Sequence, residues 1–288
     1  MSTITSRRHP SAVRARGLRR RAEREASGLC LVEGVRVVVE AVDQGAAVEE
    51  LLFAPELLRS DVALEAIGRL RAEGVPVVEV SAEVFESISS RKGPQGIAAV
   101  IRQGWTNLDA ADPAEGLGWV ALVAVQDPGN LGSVLRTCDA VGAAGVILLG
   151  DTADPFDPSA IRASTGAVFS RRLVRATLDH FADWRRAMHA RLVGASDRAS
   201  ADYRSPVYGP PLVLLMGGEQ KGLDGSAVAL CDAVVSIPML GACDSLNLAV
   251  ATGVILYEAL DQRGGANRRS STPSRGARPS EGGARRTR

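Results

Sequence analysis

Three stretches in the second half of this 288-residue chain concentrate glycine and polar side chains in a way that suits holding and orienting a ligand. The first is DPGNLGSVLRTCDAVG, Asp127 to Gly142. Pro128 and Gly129 break a strand there, Asn130 is placed to cap the helix that follows, and Arg136 falls within the first two turns of that helix. The second is LLMGGEQKGL, Leu214 to Leu223. Gly217 and Gly218 let a ligand approach the backbone closely, Gly222 permits a tight turn, and Glu219 and Lys221 stand between them. The third is IPMLGACDSLNLAVATG, Ile237 to Gly253, in which Ser245 and Asn247 stand at the entrance to an apolar helix. Taken singly, each has a plain structural reading: a capped helix with an exposed arginine, a glycine-rich turn, a second cap. GNLG matches neither the dinucleotide nor the P-loop spacing. No histidine falls in the three loops and arginine stays protonated, so an ordinary general base is missing and the available chemistry is positioning and charge stabilisation.

These loops follow runs that read as strands of a parallel sheet buried on both faces. The runs are WVALVAV (119–125), GVILLG (145–150), LVGA (192–195), PLVLLMG (211–217) and AVVSIPM (233–239), with helical patterns between most of them. Loops at strand ends are where an open parallel sheet binds ligands. The closing helix, Leu246 to about Gln262, is apolar enough to be packed on several sides. A smaller α/β pattern precedes all this: LCLVEG, then Val35–Val42, ELLFA at 50–54, a helix over Pro55–Glu73, VPVVEV at 75–80 and GIAAVI at 96–101. The expected division is a basic arm at 1–27, a small α/β domain at 28–102, a linker at 103–117 rich in Gly, Asp and Pro, the larger α/β domain at 118–262, and a basic disordered tail at 263–288.

The formal charge of +1 conceals basic ends. Residues 1–25 hold eight arginines against two acids, and residues 263–288 hold eight against Glu281 alone. Only Lys92 and Lys221 are lysines, and the planar guanidinium matches phosphate oxygens and stacks on bases, so a nucleic acid is the natural partner. The four cysteines form no CxxC pair and the three histidines are scattered, so no metal site is expected. No apolar run reaches the roughly 18 residues of a membrane span, which gives a cytoplasmic expectation.

The order of the three stretches is the specific signal. Asn-x-Gly-(x)3-Arg-Thr, then Gly-Gly-Glu-x-x-Gly-Leu, then Ile-Pro-Met-x-Gly with Ser-Leu-Asn resembles the three motifs of the SpoU/TrmH branch of the SPOUT methyltransferases. The likeness spans about 119–262 and extends to RASTGAVF, Arg162 to Phe169; Gln220 departs from it, since glycine is common there. It implies a deep trefoil knot, a homodimer and S-adenosylmethionine as cofactor. Leu215, Met216, Gly217, Gly218, Glu219, Ile237, Met239, Ser245, Leu246 and Asn247 would line the cofactor pocket, with Asn130, Arg136, Glu219, Ser245 and Asn247 around the reacting centre. LVEGVRVVVEAV and GPQGIAAVI resemble the ribosomal-protein-like RNA-binding domain of members that modify ribosomal RNA. Among these the chain is similar to the actinobacterial antibiotic-resistance enzymes.

The function implied is 2′-O-ribose methylation of large-subunit rRNA, with tRNA ribose methylation and a catalytically silent RNA-binding protein as alternatives. An oxidoreductase is excluded by the want of GxGxxG after a strand. Arg136 is expected to act mainly as an electrostatic and phosphate-orienting group, with proton abstraction by Arg136 or through a neighbouring phosphate as the alternative, and Glu219 to orient Asn130 or Arg136.

Overall fold

The computed structural model describes residues 3–264. Residues 265–288, which hold most of the basic tail, lie outside the described residues.

The N-terminal unit runs α1 (Pro10–Gly17), α2 (Arg21–Ser27), β1 (Leu29–Glu33), α3 (Val35–Asp43), β2 (Val48–Phe53), α4 (Asp61–Ala72), β3 (Val77–Glu79), α5 (Ala82–Ile88) and β4 (Ile97–Arg102). Its sheet has the order β1-β4-β2-β3, with β4 antiparallel to both neighbours and β2 parallel to β3. Successive side chains of a strand point to opposite faces. Val32, Leu51, Ala99 and Ile101 therefore meet Val38 of α3 and Ile67 of α4 on one side. Leu31, Leu52 and Val100 meet Ala12, Ala15, Phe85 and Ile88 of α1 and α5 on the other. Cover on both faces is why β1 is apolar throughout rather than alternating. The helix expected over Pro55–Glu73 begins only at Asp61, where the Ser60 hydroxyl accepts from the Ala63 N–H.

The arginine-rich start is not a free arm. Pro10 at the first turn and His9 as cap begin α1, and Ala12, Ala15 and Leu18 bury its inner side while the arginines face outward. Several of those charges have partners within the chain: Arg14 with Glu50, Arg20 with Glu23, Arg21 with Glu25, and Arg24 with Asp154 and Asp157.

Residues 103–117 form a pinned strap rather than a loose connection. A 3-10 turn at Leu108–Ala110 buries Leu108, the Thr106 N–H donates to Leu173, and the indoles of Trp119 and Trp184 donate to the carbonyls of Asp112 and Ala111. Composition suggested a linker because the glycines and acids are conspicuous. The tryptophans that hold it lie at its edges or far away in sequence.

The second unit comprises β5 (Trp119–Val123), α6 (Pro128–Val141), β6 (Gly145–Leu149), α7 (Pro158–Ser164), α8 (Ala167–Ser170), β7 (Arg172–Ala176), α9 (Leu178–Ala187), β8 (Arg191–Ala195), β9 (Ala201–Asp202), β10 (Leu212–Gly217), α10 (Gly225–Leu230), β11 (Ala233–Ser236) and α11 (Leu248–Gln262). The seven strands are all parallel, in the order β7-β6-β5-β10-β8-β11-β9. Leu131, Leu135 and Cys138 of α6 share one face with Leu248, Ile255 and Leu256 of α11. Phe181 and Trp184 of α9 and Ala227 of α10 cover the other. The last helix is not enclosed on all sides, because Val250 and Tyr257 remain about half exposed. None of the described helices is long and apolar enough to cross a membrane.

The tightest contact behind the site is between α6 and α7. A Cβ on Gly132 would lie 2.3 Å from the Ala160 carbonyl oxygen and 2.6 Å from the Ala163 Cβ. Gly132→Ala should push the helices apart and lower stability by about 1–3 kcal/mol, the usual range for overpacking, seen as a lower midpoint in thermal denaturation.

Candidate functional site

Parallel pairing places Gly217 of β10 opposite Val123 of β5, so the loops that leave these two strands start side by side at the carboxyl edge of the sheet. The chain order reverses there: β6 and β7 extend to one side of β5, while β10 opens the other half. Such a switch point leaves a crevice between diverging loops.

A chain of side-chain hydrogen bonds spans this crevice. Glu219 accepts from the Asn130 Nδ2 at 2.8 Å and from the backbone N–H groups of Gln126 and Asp127 at 3.2 and 3.3 Å. The Asn130 Oδ1 accepts from the Asn247 Nδ2 at 2.9 Å, and the Asn247 Oδ1 accepts from the backbone N–H groups of Ala249 and Val250 at the start of α11. The two ends dictate the direction of the whole chain. A carboxylate only accepts, so Asn130 must turn its amide nitrogen toward Glu219. Helix N–H groups only donate, so Asn247 must turn its oxygen toward α11 and its nitrogen toward Asn130. Members of all three loops are thereby joined.

Asn130 does not cap α6. The helix begins at Pro128, and Asp127 caps it by accepting from the Asn130 N–H at 2.6 Å, which frees the Asn130 side chain to reach across the crevice. The Asp-Pro pair was the available signal, since proline favours the first helical position. The earlier start also moves Arg136 to the third turn, where it is exposed and has no hydrogen-bond partner among the described residues. Asn247 is a cap and a network member at once. Gln126 was not anticipated; besides its N–H bond to Glu219, its side chain donates to the Asp151 carbonyl.

The paired glycines serve the fold before any ligand. A Cβ on Gly217 would lie 2.0 Å from the Gly222 carbonyl carbon, and one on Gly218 would lie 2.6 Å from the Ala124 oxygen. Gly222 closes the turn with φ +63° and an N–H bond to the Gly218 carbonyl. Leu215 and Met216 bury their side chains in the two cores, leaving only main chain to face the crevice. Ile237 packs on the core, whereas the segment 238–247 is exposed apart from the half-buried Met239. Leu240 is completely exposed and Leu246 38% exposed. Ser245 bonds only to Asp244 and stands outside the network. No cluster of His, Cys, Asp or Glu suited to a metal ion is present among the described residues.

Partial burial raises the proton affinity of Glu219, but the hydrogen bonds from Asn130 and the loop N–H groups outweigh it and hold its carboxyl below the ordinary value. Glu219 is therefore ionised at neutral pH and acts as an acceptor rather than a base.

A crevice at the switch point of a parallel sheet, bridged by a carboxylate and two amides and preceded by a small α/β unit, defines a ligand-binding enzyme domain with an appended recognition domain. Residues 119–257 match the SpoU rRNA Methylase family, and residues 10–99 match the MRM3-like substrate binding domain. The chain belongs to the SpoU methylase family. It is 36% identical over 84% of its length to the 23S rRNA (uridine(2479)-2′-O)-methyltransferase of Streptomyces viridochromogenes, of which 86% is covered. It is 30% identical over 89% of its length to the 23S rRNA (guanosine(2553)-2′-O)-methyltransferase RlmP of Bacillus subtilis, covering 98% of that protein. The AdoMet-bound rRNA methyltransferase of Sinorhizobium meliloti superposes with a TM-score of 0.82 at 37% identity, covering 90% of this chain and 97% of that one.

Because the folded carboxyl of Glu219 titrates below its unfolded value, its stabilising effect is complete above the unfolded value and is lost as pH falls through the folded one. The midpoint difference between wild type and Glu219→Gln should thus stay constant from about pH 8 to about pH 5.5 and shrink below about pH 4. Thermal melts across that range check it.

Proposed function

We propose that this protein is an S-adenosylmethionine-dependent methyltransferase that modifies a ribose 2′-hydroxyl of large-subunit ribosomal RNA in the cytoplasm. The observation that carries the reading is the Glu219–Asn130–Asn247 chain, which joins three distant loops at the switch point of the sheet. Relatives similar over most of this chain are named as 23S rRNA 2′-O-methyltransferases, one for a uridine and one for a guanosine.

The loops around the crevice carry groups that suit the cofactor. Exposed apolar groups at Leu240 and Leu246, with Ile237 and Met239, offer cover for an adenine face, while the main chain of Leu215, Met216, Gly217 and Gly218 offers polar groups for its edges. Bound there, the cofactor supplies a methyl group on a sulfonium. Methyl transfer to a hydroxyl needs an in-line approach, so accurate placement of the ribose oxygen lowers the barrier most. Asn130 is held rigid at both ends of its amide, and its second N–H remains available to orient substrate. Arg136, which has no ion-pair partner among the described residues, orients the neighbouring phosphate and stabilises charge developing on the ribose oxygen. Ser245, on the exposed loop, joins the site when substrate or cofactor orders that segment.

The catalytic unit (118–262) and the RNA-binding unit (28–102) divide these tasks. The knot of the family belongs to the same reading, supported by β10 lying between β5 and β8, which both precede it in the chain. So does a homodimer. Ser133, Thr137, Val250, Gly253, Val254 and Tyr257 line an apolar groove between α6 and α11 that reaches Asn247, and a second copy laid there would border the network. The resistance role implied by the sequence is tested by expression in a drug-sensitive host.

Deproteinised rRNA and tRNA incubated separately with the protein and labelled S-adenosylmethionine should give label in rRNA at one alkali-resistant ribose; label confined to tRNA would sink the substrate assignment. Arg136→Ala should slow methylation by about 100-fold or more, as when one oxyanion-stabilising group is removed, with the fold unchanged by circular dichroism. Tyr257→Arg should convert a dimer to a monomer in light scattering and reduce activity in step.

A further inference from the structure

The charged side chain most deeply buried in the N-terminal unit bridges to the catalytic unit. Arg24 on α2 is 1% exposed and reaches the loop that follows β6 in the catalytic unit. Its Nε donates to Asp154, itself 3% exposed, at 2.7 Å, and its Nη2 to Asp157 at 3.2 Å. Its Nη1 donates to the carbonyls of Leu18 and Arg19 in its own unit. One turn earlier Arg21 donates to the Thr152 carbonyl of the same loop.

That loop is the back wall of the proposed active site. The Ala153 N–H donates to the Val125 carbonyl at 2.7 Å, and the Gln126 side chain donates to the Asp151 carbonyl at 2.8 Å. The next N–H groups along, those of Gln126 and Asp127, hold Glu219. The strap completes the enclosure. Gln103 donates to the carbonyls of Arg24 and Leu29 and accepts from the Trp105 indole, whose ring packs edge-on against Phe156 and lies under the Arg175 guanidinium.

We infer that Arg24 is a positioning residue: it locks the RNA-binding unit to the loop behind the Glu219–Asn130 network, so that RNA gripped by one unit reaches the other at a single fixed distance. The inference rests on the proposed rRNA substrate. Two units joined by an apolar surface can slide, and relative motion is the default for domains in one chain. A buried guanidinium with four bonded partners has one geometry that satisfies it, and any slide strands charge in a dry interface. Misplacement of the reacting oxygen by an ångström costs on the order of 100-fold in rate, so a rigid joint has direct catalytic value.

The test uses the full chain with Arg24→Lys, which keeps the charge and loses the fork, and Gln103→Ala, which removes strap bonds without leaving a buried charge. Amide hydrogen exchange, which needs no RNA, should rise about 10-fold or more in 103–111 and 151–157 and stay unchanged in β5 and β10. kcat on rRNA should fall about 10-fold or more in Arg24→Lys while KM changes less and calorimetric affinity for S-adenosylmethionine stays within about two-fold. If Arg24→Lys does not fold, Gln103→Ala carries both readouts at smaller amplitude. Unchanged exchange in the strap, or a lower melting point with KM and kcat both preserved, would overturn the inference and leave Arg24 a simple stabiliser. If the wild type does not methylate rRNA, the exchange result still decides the joint, and only the functional reading fails.

Discussion

Everything at the candidate site depends on the polarity of one hydrogen-bonded chain. Its ends can each play only one part: Glu219 accepts, and the first N–H groups of α11 donate. Flipping either of the two amides between them would leave a donor facing a donor or an acceptor facing an acceptor. The consequence is a preorganised crevice that does not rely on any single loop being stiff. The loop after β5, the loop after β10 and the start of α11 each supply one link, and each is anchored to a buried strand or helix.

The three loops of the candidate site hold no histidine. The carboxylate is spent on structure, since the loop N–H groups and Asn130 hold it ionised at neutral pH. Arg136 projects from the third turn of α6, exposed and with no ion-pair partner among the described residues. The run after β11 is exposed, with Leu240 wholly in solvent.

Strands were legible in the sequence where burial on both faces made them continuous apolar runs, as in β5, β6 and β10. β7 was not, because Arg172 and Arg175 interrupt it at the edge of the sheet. α1 escaped notice because arginines dominate its composition, and only Ala12, Ala15 and Leu18 mark its inner side. The three loops were legible as a set, by order and residue type. Their connections were not: Asn130 and Glu219 lie 89 residues apart, Asn130 and Asn247 117 apart, and no local pattern encodes which amide faces which. The Arg24–Asp154 pair, 130 residues apart, was hidden in the same way inside what read as a basic arm.

The strand order has a bearing on biosynthesis. While residues up to 195 are emerging from the ribosome, β5 and β8 are both complete, yet neither has its inner neighbour, because that neighbour is β10. Two central strands therefore wait with bare backbone edges through the synthesis of the next twenty or so residues, a configuration that invites pairing with other chains. The insertion of β10 closes both edges in one event and at the same moment brings Gly217 and Glu219 to the crevice. The sheet is finished only later, when β11 pairs with β8 and β9, and the network only when Asn247 follows.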